Sequence, residues 1–197
     1  MINFFTIFGA PSWRTDFYFN NTEDIIQYCK DYEKQNKNFS NYYPVGSYTS
    51  FGRLNLLDEI LFTDFKKFIL EQTTILHNDI GLDDNLSIAS SWFNINRIYS
   101  YHESHHHIPH LYSGVYYLNC KENDAKICFQ NKTVIESSWP YNCKKKFPTE
   151  FNTTDLIIQP TSGMLLIFPS YLLHKVEQQE VEQERISISF NINAIHA

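Results

Sequence analysis

Five of the eight histidines in this 197-residue chain crowd into the stretch YHESHHHIPH that ends at His110. Alternate residues of a strand share a face, so in an extended segment His105 and His107 project together while His106 turns away. Two imidazoles on one face form a metal-binding pair, and iron, zinc, nickel and copper all accept them. A third ligand must come from elsewhere. His174 is the candidate, a polar side chain following Leu residues in the buried-strand pattern GMLLIFPSYLLHKV, where a buried imidazole needs a partner. A single histidine is more often a hydrogen-bonded core or surface residue. That bland reading weakens once the pair and the distal histidine occur in one strand-rich chain.

Eleven positions beyond His174, Arg185 opens the segment RISISFNIN. Its alternation puts Arg185, Ser187 and Ser189 on one face and Ile186, Ile188 and Phe190 on the other. A guanidinium beside a hydroxyl makes a fork for a carboxylate, because Arg offers planar paired donors that Lys lacks. An ion pair with Glu177, Glu180, Glu182 or Glu184 is the competing reading, and residue types alone leave the two open.

The elements that must position these residues fall into two subregions. From Thr22 to about Lys34 a capping-type Thr, early acids and apolar Ile25, Ile26, Tyr28, Cys29 and Tyr32 predict a short amphipathic helix. A longer helix is expected from about Leu54 to Asn78, with Leu57, Leu61, Phe65, Phe68, Gln72 and Leu76 on one stripe and Gly81 as its stop. The opening MINFFTIFGAP reads as a first strand. Beyond Gly81 strands are predicted near 86–99, 101–107, 113–120, 126–130, 133–136, 154–159, 163–168, 172–177 and 184–192. Many short strands without intervening helices indicate a sandwich, jelly roll or closed barrel. One domain over 1–197 is expected, with 1–85 as an N-terminal strand and supporting helices and 86–197 as the β core. The irregular stretches 137–152 and 36–52, both bearing aromatics, are expected to supply substrate contacts.

Composition limits the alternatives. A 16% aromatic content, with 13 Tyr and 16 Phe, favours pleated surfaces over a helical bundle. The formal net charge of -6, with Lys144 to Lys146 as the single basic run, argues against generic nucleic-acid binding. No apolar run reaches the length of a membrane span, so a soluble protein without a membrane partner is expected. Four dispersed cysteines suggest free thiols in a reducing cytoplasm.

The order His-X-His, SGVYYLN, FPSYLLH and RISISF resembles the iron(II)- and 2-oxoglutarate-dependent oxygenases over roughly the last 110 residues. WFNINR ahead of the histidines, with SGVYYL and FPSYLLHKV, is similar to a largely uncharacterised group of such oxygenases in bacteria and their phages. The resemblance implies a mainly β fold with flanking α-helices, a cupin-like double-stranded β-helix or jelly roll. It implies a dioxygenase that couples decarboxylation of 2-oxoglutarate to succinate and carbon dioxide with hydroxylation of a substrate, using molecular oxygen. It makes His105 and His174 iron ligands and places His107 where the family usually has a carboxylate. Arg185 with Ser187 would hold the distal carboxylate of 2-oxoglutarate, Tyr117 would donate to the same carboxylate, and Asn94 and Trp92 would line the pocket. Glu103 could supply the missing acid if its strand were bulged. His102, His106 and His110 are then expected at the rim. A three-histidine cupin-like metal dioxygenase that needs no 2-oxoglutarate is the alternative, and a binding module with vestigial metal or zinc a third. The substrate, a small molecule or a peptide, and a homodimer are left open.

Overall fold

The structure, a computed structural model, describes residues 3–7, 9–36, 47–131, 144, 146–147 and 153–195. Strands β1 (Asn3–Ile7) and β2 (Ala10–Asp16) form a hairpin, followed by helix α1 (Thr22–Gln35) and the short strand β3 (Tyr48–Thr49). Helix α2 (Thr63–Asp79) leads into β4 (Asn85–Asn96), β5 (His102–His105), β6 (Tyr112–Asn119), β7 (Ile127–Gln130), β8 (Asp155–Ile158), β9 (Met164–Pro169), β10 (His174–Val176) and β11 (Arg185–Ile195). A seven-stranded sheet has the order β1-β2-β9-β6-β11-β4-β3, and a four-stranded sheet the order β5-β10-β7-β8. The eight strands β4–β11 thus make two facing four-stranded antiparallel layers, the double-stranded β-helix the resemblance implied. The expected strand at 133–136 and most of 137–152 lie outside the described residues, as does 37–46.

Period-two patterning sorts the side chains into two cores. On the helix side of the large sheet, Phe93, Ile95, Tyr116, Leu118, Leu165, Ile167, Ile186 and Ile188 pack against Ile25 and Cys29 of α1 and Phe65, Ile69 and Leu76 of α2. Between the sheets lie Val115, Tyr117, Phe129, Leu166, Phe168 and Leu172. The interleaved residues of the same strands, Asn94, Arg185 and Ser187, face inward with this second group and are buried although polar. An inward face that is partly polar in an otherwise apolar layer marks a place built to receive something.

Two local expectations change and a third holds. Thr22 does not cap α1; its hydroxyl donates back to the Phe19 carbonyl (2.6 Å), and Asn21 holds the cap position. The helix expected from Leu54 begins at Thr63, because Ser91 of β4 holds the preceding turn: it donates to Asn55 Oδ1 (2.6 Å) and accepts from the Leu57 N–H (2.8 Å). That places the adjacent Leu56 and Leu57 in the core within the first of two 3-10 turns that precede the helix. Gly81 does end α2, at φ +83°, in the left-handed region glycine tolerates.

Candidate metal and co-substrate site

β5 and β10 carry two of the three clustered histidines side by side. His174 pairs with His105, and Val176 pairs with His102, so β5 has three steps where β10 has two. This bulge turns both His102 and His105 into the space between the sheets, where both line one cavity. Glu103 stays exposed and contributes its backbone carbonyl instead of its carboxylate. His107, expected on the same strand as His105, lies just past its end. There its N–H donates to the Ser170 carbonyl (2.9 Å), and its ring still returns to the cluster.

The ligand atoms of His105, His107 and His174 lie within 4.8 Å of one another. Two of the rings have a fixed tautomer. His105 Nδ1 sits 2.7 Å from the Glu103 carbonyl and His174 Nδ1 2.9 Å from the Leu172 carbonyl. A carbonyl can only accept, so each Nδ1 carries the proton and each Nε2 keeps a lone pair. This arrangement, one ring nitrogen tied to a carbonyl and the other left to ligate, is how proteins orient metal-binding histidines. Burial, with the neighbouring histidines, lowers the pKa of His174 to about 3 and of His107 to about 4, so both rings are in the neutral, ligating form near neutrality. The donor set therefore fits a divalent first-row metal such as iron(II).

The cavity holds about 260 Å³ and runs from the histidines to Arg185. Arg185, 2% exposed, donates through Nη1 to the Ala125 carbonyl and through Nη2 to Asn96 Oδ1 (3.0 Å). Its Nε has no hydrogen-bond partner, and among the described residues it forms no ion pair. Of the four glutamates that could have paired with it, Glu184 instead binds Arg97 (2.8 Å) and Lys30 (2.9 Å). A buried guanidinium without a carboxylate is costly, by several kcal/mol, unless an anion joins it.

The register explains the company Arg185 keeps. Ser187 stands opposite Tyr117 on β6 and Asn94 on β4, so all three face the cavity. Asn94 Nδ2 reaches Ser189 Oγ (3.3 Å) while Asn94 Oδ1 is unpartnered. Neither the Ser187 nor the Tyr117 hydroxyl has a partner among the described residues. Burial pushes the Tyr117 phenol well above its ordinary pKa, so it remains a neutral donor, and its ring lies 5.7 Å from the Arg185 guanidinium carbon. Trp92 lines the cavity mouth, with Phe51 edge-on to it at 4.8 Å. His106 is exposed at the rim and His110 Nδ1 meets Asn193 Oδ1 at 3.1 Å, whereas His102, also expected at the rim, is inside. The signal for His102 was its three-residue spacing from His105, which only a bulge brings onto one face.

No curated protein matches the sequence. In fold, the chain is similar to a prolyl-4-hydroxylase from Pseudomonas putida, with a TM-score of 0.64 and 11% identity over 95% of this chain and 94% of that one. It is similar to the viral collagen prolyl hydroxylase of Paramecium Bursaria Chlorella virus-1, solved with 2-oxoglutarate (TM-score 0.60, 13% identity, 94% and 96% of the two chains). It also resembles HygX from Streptomyces hygroscopicus, solved with nickel and 2-oxoglutarate (TM-score 0.59, 11% identity, 94% and 83%). Among the described residues no helix is long and apolar enough to cross a membrane. Residues 90–191, more than half of the chain, match the family model described as "Putative 2OG-Fe(II) oxygenase", and the chain belongs to this family of iron(II)- and 2-oxoglutarate-dependent oxygenases.

Proposed function

We propose that this protein is a dioxygenase that hydroxylates its substrate while 2-oxoglutarate and oxygen become succinate and carbon dioxide. His105, His107 and His174 hold the iron. Arg185, Ser187, Tyr117 and Asn94 hold the co-substrate. The observation that carries this reading is the buried, carboxylate-free Arg185 in the same cavity as three histidines whose free nitrogens converge.

Iron(II) bound by these imidazoles would supply the activation of oxygen and the oxidation of the co-substrate. The chain's own groups do the rest. Glu103 and Leu172 carbonyls hold the His105 and His174 rings in the ligating tautomer. Three neutral imidazoles leave the charge of a divalent ion uncompensated, which favours an anionic chelating co-substrate beside them. Arg185 pairs with the distal carboxylate, and the Tyr117 and Ser187 hydroxyls donate to it, giving the buried guanidinium its missing anion. Phe168, Ile127 and Val176 wall the cavity with apolar surface, so charged partners meet with little competing water. The substrate approaches past Trp92 and Phe51, where a neighbouring hollow of about 590 Å³ shares both residues and His107 with the cavity. The three-histidine reading without 2-oxoglutarate leaves Arg185 with no anion to bind.

The test is turnover of 2-oxoglutarate labelled at its C1 carboxyl by the iron(II)-loaded protein. Labelled carbon dioxide and equimolar succinate, both abolished by His174→Ala, are expected; a loaded wild-type protein that consumes no 2-oxoglutarate, even slowly without substrate, refutes the reading.

A further inference from the structure

Behind the cavity, Arg185 belongs to a closed ring of buried hydrogen bonds. Its Nη2 donates to Asn96 Oδ1, and the Asn96 amide donates to Ser100 Oγ (3.2 Å). The Ser100 carbonyl accepts from the Gln179 N–H (2.9 Å), and Gln179 Oε1 accepts from the Ala125 N–H (2.7 Å). The Ala125 carbonyl, accepting from Arg185 Nη1, closes the circuit. Gln179, 0% exposed, is its hub. Its carbonyl also accepts from the Tyr99 N–H (2.7 Å), and its amide nitrogen donates to Asp124 Oδ1 (2.7 Å). Asp124 is buried as well, and takes further donors from Gln183 Nε2 (2.6 Å) and the Lys121 N–H (2.7 Å). One glutamine thus ties the β4–β5 turn, the β6–β7 loop and the β10–β11 loop together, between the strand bearing His174 and the strand bearing Arg185.

The order of donors along one arm has a physical consequence. The Asp124 carboxylate polarises the Gln179 amide, whose oxygen holds the Ala125 N–H, so the residue whose carbonyl faces the guanidinium is anchored through its preceding peptide group. A buried anion at the head of the arm strengthens the two side-chain links that anchor Ala125. It steadies Arg185 without placing a carboxylate on it, and leaves its Nε without a hydrogen-bond partner.

We propose that Gln179 is a positioning residue of the co-substrate site, fixing Arg185 at a set separation from the histidines and thereby selecting a five-carbon 2-oxo diacid over its six-carbon homologue. The proposal rests on Arg185 taking the distal carboxylate, as argued above. Gln179→Met keeps chain length and removes all three side-chain bonds, those with the Ala125 N–H, with Asp124 Oδ1 and from Nε2 to the Gln183 carbonyl (3.2 Å). Anaerobic titration of the iron(II)-loaded protein, followed by the charge-transfer absorption, should give 2-oxoglutarate affinity about tenfold weaker, the worth of one lost buried link. Iron affinity should be unchanged, and the preference for 2-oxoglutarate over 2-oxoadipate should shrink. In an Arg185→Met background the same substitution should add nothing. The paired exchange Asp124→Asn with Gln179→Glu restores the donor–acceptor match between these two side chains, though not with Gln183, so it should bind 2-oxoglutarate more tightly than Gln179→Glu alone, and it keeps the test open should Gln179→Met fold poorly. Unchanged affinity in Gln179→Met, no recovery in the paired exchange, or equal losses with and without Arg185 overturns the proposal. A wild-type protein that binds iron but never 2-oxoglutarate overturns the underlying assignment instead.

Discussion

Replacing Arg185 by Met keeps an unbranched apolar stem and removes the guanidinium. Two consequences for the ligand-free protein oppose each other. Asn96 Oδ1 and the Ala125 carbonyl lose their donor, at about 1–3 kcal/mol each for buried acceptors. Against this, a buried cation whose desolvation costs several kcal/mol disappears. The melting temperature of the ligand-free protein should therefore move little in either direction. Binding has no such offset. Truncating one partner of a buried, hydrogen-bonded charge pair costs about 2–5 kcal/mol, or from about thirtyfold to over a thousandfold in affinity. Anaerobic calorimetry of 2-oxoglutarate binding to iron(II)-loaded wild type and Arg185→Met reads this directly. Thermal melts should agree: 2-oxoglutarate at about a hundred times its dissociation constant stabilises the wild type by about 2.7 kcal/mol, and the increment should vanish in the variant. A variant that keeps its 2-oxoglutarate affinity refutes the role given to Arg185, and one that loses iron shows that the residue supports the metal.

Three other outcomes are expected. Tyr117→Phe removes a phenol whose hydroxyl has no partner among the described residues, so stability should hold while 2-oxoglutarate affinity, read by the same calorimetry, falls about tenfold, as for a hydrogen bond to a charged group; unchanged affinity would remove Tyr117 from the site. Gly114→Ala places a Cβ into the Phe190 ring and 2.8 Å from the Leu166 carbonyl, an overpacking that should lower stability by about 1–3 kcal/mol in denaturant melts. Metal-free protein should lose stability as pH falls from about 6.5 toward 4: burial depresses the folded pKa values of His174 and His107 to about 3 and about 4, so the unfolded chain takes up protons first. Melting temperatures that stay flat between pH 7 and 5 contradict this.

The sheet core was legible because its period-two alternation is strict. Ile186 and Ile188 go to one side and Arg185 and Ser187 to the other, as the spacing in RISISF required. The histidine triad was legible for a related reason: a polar residue in a buried run, like His174, must be explained. What escaped were features set by distant partners. The bulge that turns His102 inward depends on the pairing of β5 with β10, which local sequence does not encode. Gln179 sits in the acidic, glutamine-rich stretch 177–184, which reads as a solvated loop, yet it is fully buried because Ala125 and Asp124, over fifty residues earlier, return to meet it. The start of α2 was missed because Ser91, from a later strand, competes for its backbone.

Adding 2-oxoglutarate to the iron(II)-loaded protein without oxygen, then admitting oxygen, asks whether the histidines and Arg185 serve one ligand. A visible charge-transfer band that saturates stoichiometrically with 2-oxoglutarate, and then decays with release of succinate, is expected. Iron that stays bound while no band forms and no succinate appears would contradict it.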